Sequence, residues 1–269
     1  MITLVLLTDK RQVGLVCGPG MKFLGINFID GSEAQLKTSL LHASGERYSY
    51  CVTPNVQHVN ILHAHSTRGD QFRQAYCAAS FVICDSRILQ LLASLAGRRL
   101  FTLPGSDLIA QILCDPRFIE KKIGVIGPGR DDFEKLAHQF VERQLTLIDT
   151  PLQMSTESEA FAQCLQAAAA ADWDILLICL GAPKQEIFAN RLKALRRDGV
   201  ALCVGASIDY LTGKQARAPS FIKNARLEWL FRLLSQPRRM FKRYMLDFFA
   251  LVRILSKELA SSFFKSRRT

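Results

Sequence analysis

The sequence predicts an α/β protein with a mostly parallel, doubly wound sheet, followed by a basic helical appendage. From about residue 48 onward, short apolar runs alternate with helically periodic segments, and the loops between them are short. Charge divides the chain, because residues 217–269 carry 13 Lys and Arg against 3 Asp and Glu, whereas residues 1–216 carry 22 against 21. We therefore expect residues 1–216 to form the α/β domain and residues 217–269 the appendage.

Strands and helices are predicted to alternate along the α/β domain. The predicted strands are Tyr50–Val52, Phe81–Cys84, Ile123–Ile126, Thr146–Ile148, Ile175–Leu180 and Ala201–Val204. The predicted helices are Val56–Ser66, Arg87–Leu95, Asp107–Leu113, Asp131–Glu142, Glu157–Ala171 and Gln185–Arg197. Parallel strands end at one edge of a sheet, and such folds bind ligands there, so residues directly after each strand are site candidates.

Small, polar and charged residues follow these strands. They are Thr53 and Asn55, Asp85, Gly127–Asp131, Gly181–Glu186 with Lys184 and Gln185, and Gly205–Asp209. A Gly-rich turn before a helix, such as Gly127–Asp131, can bind a phosphate, but tight turns also use glycine for its backbone freedom alone. Asp85 fits either a chemical role in the cleft or an N-cap of the helix starting near Ser86, and Asp131 or Asp132 can cap the helix there.

The sequence contains no strong metal signature. The histidines His58, His63 and His65 have no Cys or carboxylate at ligand spacing beside them, so we expect them on and around a helix surface. We find no Asp-x-Asp pair of the sort that carries a divalent ion against a nucleotide diphosphate. Arg, Lys and backbone N–H groups would then neutralise any diphosphate bound here.

Cysteine usage and hydropathy bear on the cellular compartment. The eight cysteines form no C-x-x-C pair and mostly lie in apolar runs, which favours buried, reduced thiols over a zinc site or disulfides. The apolar run at Ile2–Leu7 is too short for a spanning helix or a typical signal peptide, and no other segment is long enough. We expect a cytoplasmic protein, or one peripheral to a membrane on its cytoplasmic side.

The appendage combines charge with an apolar helical stripe. Residues recurring at alternating spacings of four and three are Phe241, Met245, Phe248, Val252, Leu255 and Leu259. A cationic, Phe-rich amphipathic helix is typical of an interfacial membrane anchor, but the same stripe equally fits packing on the chain's own domain or on a partner subunit. Nucleic acid is a weaker third interpretation, because its binding surfaces rarely need a continuous apolar face.

The motifs together resemble one family. In chain order they are Thr53-Pro54-Asn55, Asp85, Gly105-Ser106-Asp107-Leu108, Gly181-Ala182-Pro183-Lys184-Gln185-Glu186, Gly205, Asp209, Gly213, Arg217-Ala218-Pro219, Leu227-Glu228-Trp229-Leu230 with Arg232, Pro237-Arg238-Arg239 and Arg243-Tyr244. This order resembles the WecG/TagA/CpsF glycosyltransferases over residues 22 to 245. The resemblance implies a Rossmann-like domain with a C-terminal appendage, and an inverting transferase that needs no metal.

The resemblance also implies substrates and partners. The donor would be UDP-N-acetylmannosamine or a related UDP-sugar, and the acceptor a polyprenyl-diphosphate-linked sugar in bacterial surface or extracellular polysaccharide synthesis. The expected location is the cytoplasmic face of the plasma membrane, where the appendage would cover the active site and contact anionic lipid. A homo-oligomer is compatible with the apolar stripe, and we expect no nucleic-acid partner.

Roles for individual residues follow from the resemblance by position. Asp85 matches the general base, and Thr53, Asn55 and Gln185 match substrate-pocket residues. Lys184, beside Gln185, and Asp209, after the last predicted strand, are further substrate-binding candidates. The diphosphate candidates are Arg217, Arg232, Arg238, Arg239 and Arg243. Two positions differ from the family pattern: Ser86 stands where glycine often follows the aspartate, and Thr102 where an arginine commonly stands. The alternative function is a non-catalytic, nucleotide-binding, membrane-associated regulatory or scaffold protein.

Overall fold

A six-stranded, all-parallel sheet lies at the centre of the protein, which confirms the predicted fold class. The computed structural model describes residues 20–151, 154–216, 219, 222 and 228–266. Strands β1 (Met21–Phe23) and β2 (Ile26–Phe28) form a separate antiparallel hairpin. The sheet contains β3 (Ser49–Val52), β4 (Phe81–Val82), β5 (Lys122–Ile126), β6 (Gln144–Ile148), β7 (Ile175–Ile178) and β8 (Val200–Cys203), in the order β4-β3-β8-β7-β5-β6.

Helices connect the strands and continue into the appendage. They are α1 (Glu33–Ala43), α2 (Val56–Leu62), α3 (Thr67–Ala78), α4 (Arg87–Leu95), α5 (Gly105–Cys114), α6 (Arg130–Gln139), α7 (Glu159–Ala170), α8 (Lys184–Leu192), α9 (Ser207–Leu211), α10 (Glu228–Ser235) and α11 (Pro237–Ser266), with a short 3-10 helix at Pro116–Phe118. The strands thus present their carboxyl ends to the amino ends of the helices that follow them.

Apolar side chains fill both faces of the sheet. Along β3, Tyr50 and Val52 belong to one buried cluster and Cys51 to the other, as the two-residue period of a strand requires. The first cluster includes side chains of α2, α3, α7 and α8, and the second includes those of α1, α5 and α6. Burial on both faces explains why these strands are continuous apolar runs in the sequence.

The structure corrects the predicted end of one helix and the predicted N-cap of another. The predicted helix Val56–Ser66 is shorter, because α2 ends at Leu62 and the Ser66 hydroxyl accepts a bond from the Gly69 amide, 3.1 Å away, as the N-cap of α3. Neither Asp131 nor Asp132 caps α6, whose N-cap is Gly129. Asp132 instead binds the Lys214 ammonium group, with Oδ2 at 2.6 Å from Nζ.

The long helix of the appendage has two different apolar faces. Its inner face buries Leu251 and Ile254 in the same cluster as Val59 of α2. A hydrogen bond of 2.8 Å from Asn60 Nδ2 to Asp247 Oδ1 joins the same two helices. Most of the predicted stripe lies outside this contact and is exposed: Phe241, Met245, Phe248 and Val252. Packing on the chain's own domain therefore uses a face that includes only Leu255 of the predicted stripe, and most of the stripe is left uncovered.

Candidate active site

The loops after three neighbouring strands are joined at the carboxyl edge of the sheet. The Thr53 hydroxyl, buried after β3, donates to the carbonyl oxygen of Cys203 at the end of β8, 2.8 Å away. The Asp85 amide, after β4, donates to the Pro54 carbonyl at 3.0 Å. The structure therefore brings Asp85, Thr53 and the β8 loop together, as the strand pattern predicted.

Asp85 holds its carboxylate at the start of a helix further along the chain. Its Oδ1 accepts a hydrogen bond of 2.7 Å from the amide of Gly105, the first residue of α5. The following helix, α4, is capped instead by Ser86, whose hydroxyl accepts from the Leu89 amide at 3.3 Å. Asp85 is therefore not the N-cap of α4. The half-buried carboxyl group therefore lies between the amino end of α5 and the Thr53 loop, in the place where a general base would act.

Gln185 connects the loop after β7 to the loop after β8. Its side chain is 2% exposed; Oε1 accepts from the Gly205 amide at 2.9 Å, and Nε2 donates to Glu186 Oε1 at 2.8 Å. Both ends of the amide are thus used inside the protein. Its contact with a substrate stays a prediction, but the structure adds that Gln185 fixes the shape of the loop.

A buried acid and a buried histidine lie directly behind these loops. Glu186 is fully buried, and its Oε1 lies 3.7 Å from Nε2 of His58. His58 Nδ1 accepts a hydrogen bond of 3.1 Å from the amide of Asn55, the N-cap of α2. Burial raises the pKa of Glu186 to about 7. The expectation that His58 lies on a helix surface was wrong, since only 4% of it is exposed.

Two further pocket candidates lie at the same edge and bind neighbouring loops. Lys184 directs Nζ to the Met154 carbonyl, 3.4 Å away, which ties the start of α8 to the segment before α7. Asp209, on α9, accepts a 2.8 Å bond from the Gln215 side chain and a 2.9 Å backbone bond from the same residue. Asp209 therefore closes the turn that leads to the appendage.

The appendage arginines are described only in part. Arg238 is exposed on α11. Arg217, and the side chains of Arg232, Arg239 and Arg243, lie outside the described residues. Arg98, near the position where Thr102 departs from the family pattern, donates to the Lys22 carbonyl at 2.6 Å and so binds the hairpin.

Four helices begin at this edge with an N-cap residue that makes no side-chain hydrogen bond to the helix. The N-caps of α5, α6, α8 and α9 are Pro104, Gly129, Pro183 and Ala206, and none of them makes a side-chain hydrogen bond to its helix. The first amide of α5 already binds the Asp85 carboxylate, so the amino ends of α6 and α8 are the ones whose helix dipoles favour a phosphate group at this edge.

An acidic pair and a cavity elsewhere in the protein do not belong to this candidate site. Asp172 and Asp174 form an Asp-x-Asp pair, but they precede β7 and bind Lys122 at the opposite end of the sheet. Across the described part of the chain, no three His, Cys, Asp or Glu residues are grouped so that they could hold a metal ion. A cavity of about 770 Å³ lies between the hairpin, α3 and the start of β4, and none of the predicted site residues lines it.

The family now follows from comparison with known proteins. The profile of the glycosyl transferase WecG/TagA/CpsF family matches residues 21–264. The chain therefore belongs to this glycosyl transferase family, which confirms the resemblance. It is similar to the N-acetylglucosaminyldiphosphoundecaprenol N-acetyl-beta-D-mannosaminyltransferase of Bacillus spizizenii (strain ATCC 23059 / NRRL B-14472 / W23), with 24% identity over 220 residues, or 80% of this chain and 84% of the relative.

Replacing Gln185 by alanine is expected to cost stability as well as substrate affinity. The change would leave the Gly205 amide and the buried Glu186 carboxyl group without their partner, which typically costs about 1–3 kcal/mol. Urea unfolding and titration with UDP measure the two quantities. Unchanged stability would contradict the structural role, and unchanged affinity would contradict the pocket role.

Glu186 is expected to make stability fall as the pH rises from 4.5 to 7. The pKa of Glu186 is about 7 in the folded protein and near 4.5 in an unfolded chain, so between these values only the folded state keeps the proton. The loss in the free energy of unfolding from ionising the buried Glu186 is absent below pH 4.5 and complete above pH 7. It is on the order of 3 kcal/mol. In urea unfolding, Glu186→Gln should therefore gain stability relative to the wild type between pH 5 and pH 8. The variant Glu142→Gln, at an exposed residue, should not gain stability in this way. If the free energy of unfolding of Glu186→Gln changed with pH in parallel with that of the wild type, the prediction would be contradicted.

Proposed function

We propose that this protein is an inverting glycosyltransferase that moves N-acetylmannosamine, or a related sugar, from UDP to a polyprenyl-diphosphate-linked sugar. The family and the activity in the relative's name support this proposal. The observation that carries it is the position of Asp85: a half-buried carboxylate, fixed by Gly105, beside the Thr53 loop at the ligand-binding edge of the sheet.

The proposed reaction is a single displacement. A hydroxyl oxygen of the acceptor sugar attacks the anomeric carbon of the donor, the bond from that carbon to the UDP oxygen breaks, and UDP leaves with the electron pair. Asp85 takes the proton of the attacking hydroxyl. One displacement inverts the anomeric centre, so an α-linked donor gives a β-linked product, the configuration in the relative's name.

Positive groups at the sheet edge would stabilise the departing UDP. The amino ends of α6 and α8, whose N-caps make no side-chain hydrogen bond to the helix, favour negative charge there. We assign the remaining stabilisation to the appendage arginines Arg217, Arg232, Arg238, Arg239 and Arg243, as the family pattern implies. In this proposal the appendage covers the cleft, and Thr53, Asn55, Lys184, Gln185 and Asp209 shape the substrate pocket.

The uncovered face of α11 supports a peripheral membrane location. Exposed apolar side chains, among them Phe241, Phe248 and Phe249, share this helix with the exposed cations Arg238, Lys242 and Arg253. Such a surface suits an anionic bilayer, where a lipid-linked acceptor resides. None of the described helices is both long enough and apolar enough to span a membrane. We therefore place the protein on the cytoplasmic face of the plasma membrane.

The test is a transfer assay with the full-length protein. UDP-N-acetylmannosamine and UDP-N-acetylglucosamine are offered with a short polyprenyl-diphosphate-N-acetylglucosamine, and UDP release and the lipid-linked disaccharide are measured. We expect product from the first donor, with a β linkage. Tight UDP binding without transfer from any UDP-sugar would support the regulatory or scaffold function instead.

Transfer is expected to continue in EDTA. The sheet edge offers the amino ends of α6 and α8 and the appendage offers arginines for the diphosphate, and no Asp-x-Asp pair follows a strand. The assay is repeated after exhaustive treatment with EDTA, and again with added Mg²⁺ or Mn²⁺. Loss of transfer in the chelator, with recovery on adding either ion, would contradict a metal-independent reaction.

A further inference from the structure

A series of polar contacts lies behind the site and connects three of its loops. It starts at the Asn55 amide, which donates to His58 Nδ1 at 3.1 Å. His58 Nε2 faces Glu186 Oε1 at 3.7 Å, and the same oxygen accepts the 2.8 Å bond from Gln185. Gln185 in turn accepts from the Gly205 amide at 2.9 Å. The loops after β3, β7 and β8 are therefore connected through one carboxylate oxygen.

The direction of the bonds fixes the proton on the histidine. Because His58 Nδ1 accepts from the Asn55 amide, a neutral imidazole carries its proton on Nε2, which faces Glu186. The carboxyl group of Glu186 thus faces an N–H group of α2 at 3.7 Å on one side and accepts the hydrogen bond from Gln185 at the start of α8 on the other. Its second oxygen, Oε2, is buried and makes no hydrogen bond to any described residue.

Aromatic side chains pack against the histidine of this pair. The ring of His58 packs against Phe72 and Tyr76, with centroids 5.7 Å and 6.3 Å apart. Side-chain exposure is 5% for His58 and 0% for Glu186. A buried polar pair is weak support for stability, because well-packed apolar residues often do as well or better. What the polar pair adds is a fixed geometry for the groups at its two ends, the Asn55 loop and the Gly205 loop.

We propose that Glu186 and His58 are positioning residues, which hold the Asn55 loop and the Gln185–Gly205 contact in the arrangement that binds the donor and acceptor. This inference rests on the proposed function. Neither residue needs to touch a substrate, since each acts through a group that lies at the sheet edge. The sequence offered one hint only: His58 stands three residues after the N-cap Asn55, at the spacing of a capping box.

The first test measures the Asn55 and Gly205 amides, which lie at the two ends of this series of polar contacts. It does not depend on activity. Hydrogen exchange of the Asn55 and Gly205 amides is followed by NMR in the full-length protein. Glu186→Ala should raise both exchange rates at least tenfold, whereas Glu186→Gln, which keeps an acceptor oxygen, should stay near the wild type. The Gly124 amide on β5 reports on the rest of the sheet and should not change. Unchanged exchange at both end amides in Glu186→Ala would overturn the proposal.

The second test measures transfer and separates positioning from folding. Glu186→Ala should lower kcat/KM at least tenfold, and Glu186→Gln should restore most of it. The matched control is Glu157→Ala, which removes a 3.0 Å ion pair to Arg191 at the far end of the same helix and should leave kcat/KM within twofold. A Glu186→Ala enzyme within twofold of the wild type would overturn the proposal.

A second variant covers the case in which Glu186→Ala does not fold. His58→Phe fills its apolar surroundings but cannot accept from Asn55, so we expect a folded protein with faster exchange at Asn55 and reduced transfer. Normal exchange and normal transfer in this variant would overturn the proposal. If the wild type transfers no sugar, the proposed function fails while the exchange experiment still decides whether the pair positions the loops.

Discussion

Asp85→Asn is expected to fold normally, bind UDP with unchanged affinity, and lose two or more orders of magnitude in turnover. An asparagine oxygen can still accept the 2.7 Å bond from the Gly105 amide, so the start of α5 keeps its partner. The amide cannot take a proton from the attacking hydroxyl, and general-base catalysis commonly contributes 10²–10⁴-fold to a rate. Turnover from initial rates, with UDP affinity from calorimetry, checks both parts.

The control for this variant is another aspartate that ends a strand at the same edge of the sheet. Asp149 follows β6, its side chain is 78% exposed, and it pairs with Arg130 at 3.3 Å. Because β4 and β6 are the two outer strands, Asp149 stands five strand spacings from Asp85, or about 24 Å. Asp149→Asn should keep normal turnover. Near-normal transfer by Asp85→Asn would limit Asp85 to its structural bond with α5.

Truncation before Pro237 is expected to release the protein from anionic vesicles and to abolish most transfer to a lipid acceptor. The deletion removes the exposed apolar face of α11 together with Arg238, Lys242 and Arg253. Each basic side chain near an anionic surface contributes about 1 kcal/mol, and apolar burial adds to it. Sedimentation with vesicles containing phosphatidylglycerol, at low and moderate salt, measures the binding, which salt should weaken in the full-length protein.

A point variant separates membrane binding from the stability of the fold, since truncation also removes Leu251 and Ile254 from the core. Phe241→Ser with Phe248→Ser alters only the exposed face and should weaken vesicle binding at least tenfold, because each buried Phe contributes about 1.5–3 kcal/mol. Val141→Ser, at a residue 76% exposed just beyond α6, is the matched control. Unchanged sedimentation of the double variant would favour the stripe as a contact between copies of the chain.

The sequence predicted the sheet well because burial on both faces leaves a strong signal. All six predicted strands are present, with ends within two residues of the structure. The predicted helix Arg87–Leu95 matches α4 at both ends, because Ser86 caps a strongly amphipathic segment. Helix α3 was not predicted: its buried residues Phe72 and Tyr76 stand among polar neighbours, and its cap, Ser66, fell inside the predicted preceding helix.

The sequence predicted the positions of candidate site residues that directly follow strands. It did not predict those that are set by contacts between helices. Asp85 and Thr53 follow apolar runs, so their meeting at one edge could be inferred from parallel topology. The burial of His58 against Glu186 joins residues 128 positions apart, and no local pattern indicates such a pair. The inner face of α11 could not be predicted for the same reason, since only the fold shows that Leu251 packs in the same cluster as α2.

The packing of α11 on α2 determines how the enzyme would find its acceptor. Helix α2 begins directly after its N-cap Asn55, has seven residues, and is therefore about 10 Å long, while α11 lies along its flank. In the membrane-bound orientation that we propose, the sheet edge stands within about two helix diameters, or roughly 20 Å, of the lipid surface. An acceptor can then keep its prenyl chain in the bilayer while its sugar enters the cleft. The search for acceptor becomes diffusion in two dimensions, and turnover should follow the density of acceptor in the membrane rather than its concentration in bulk solution.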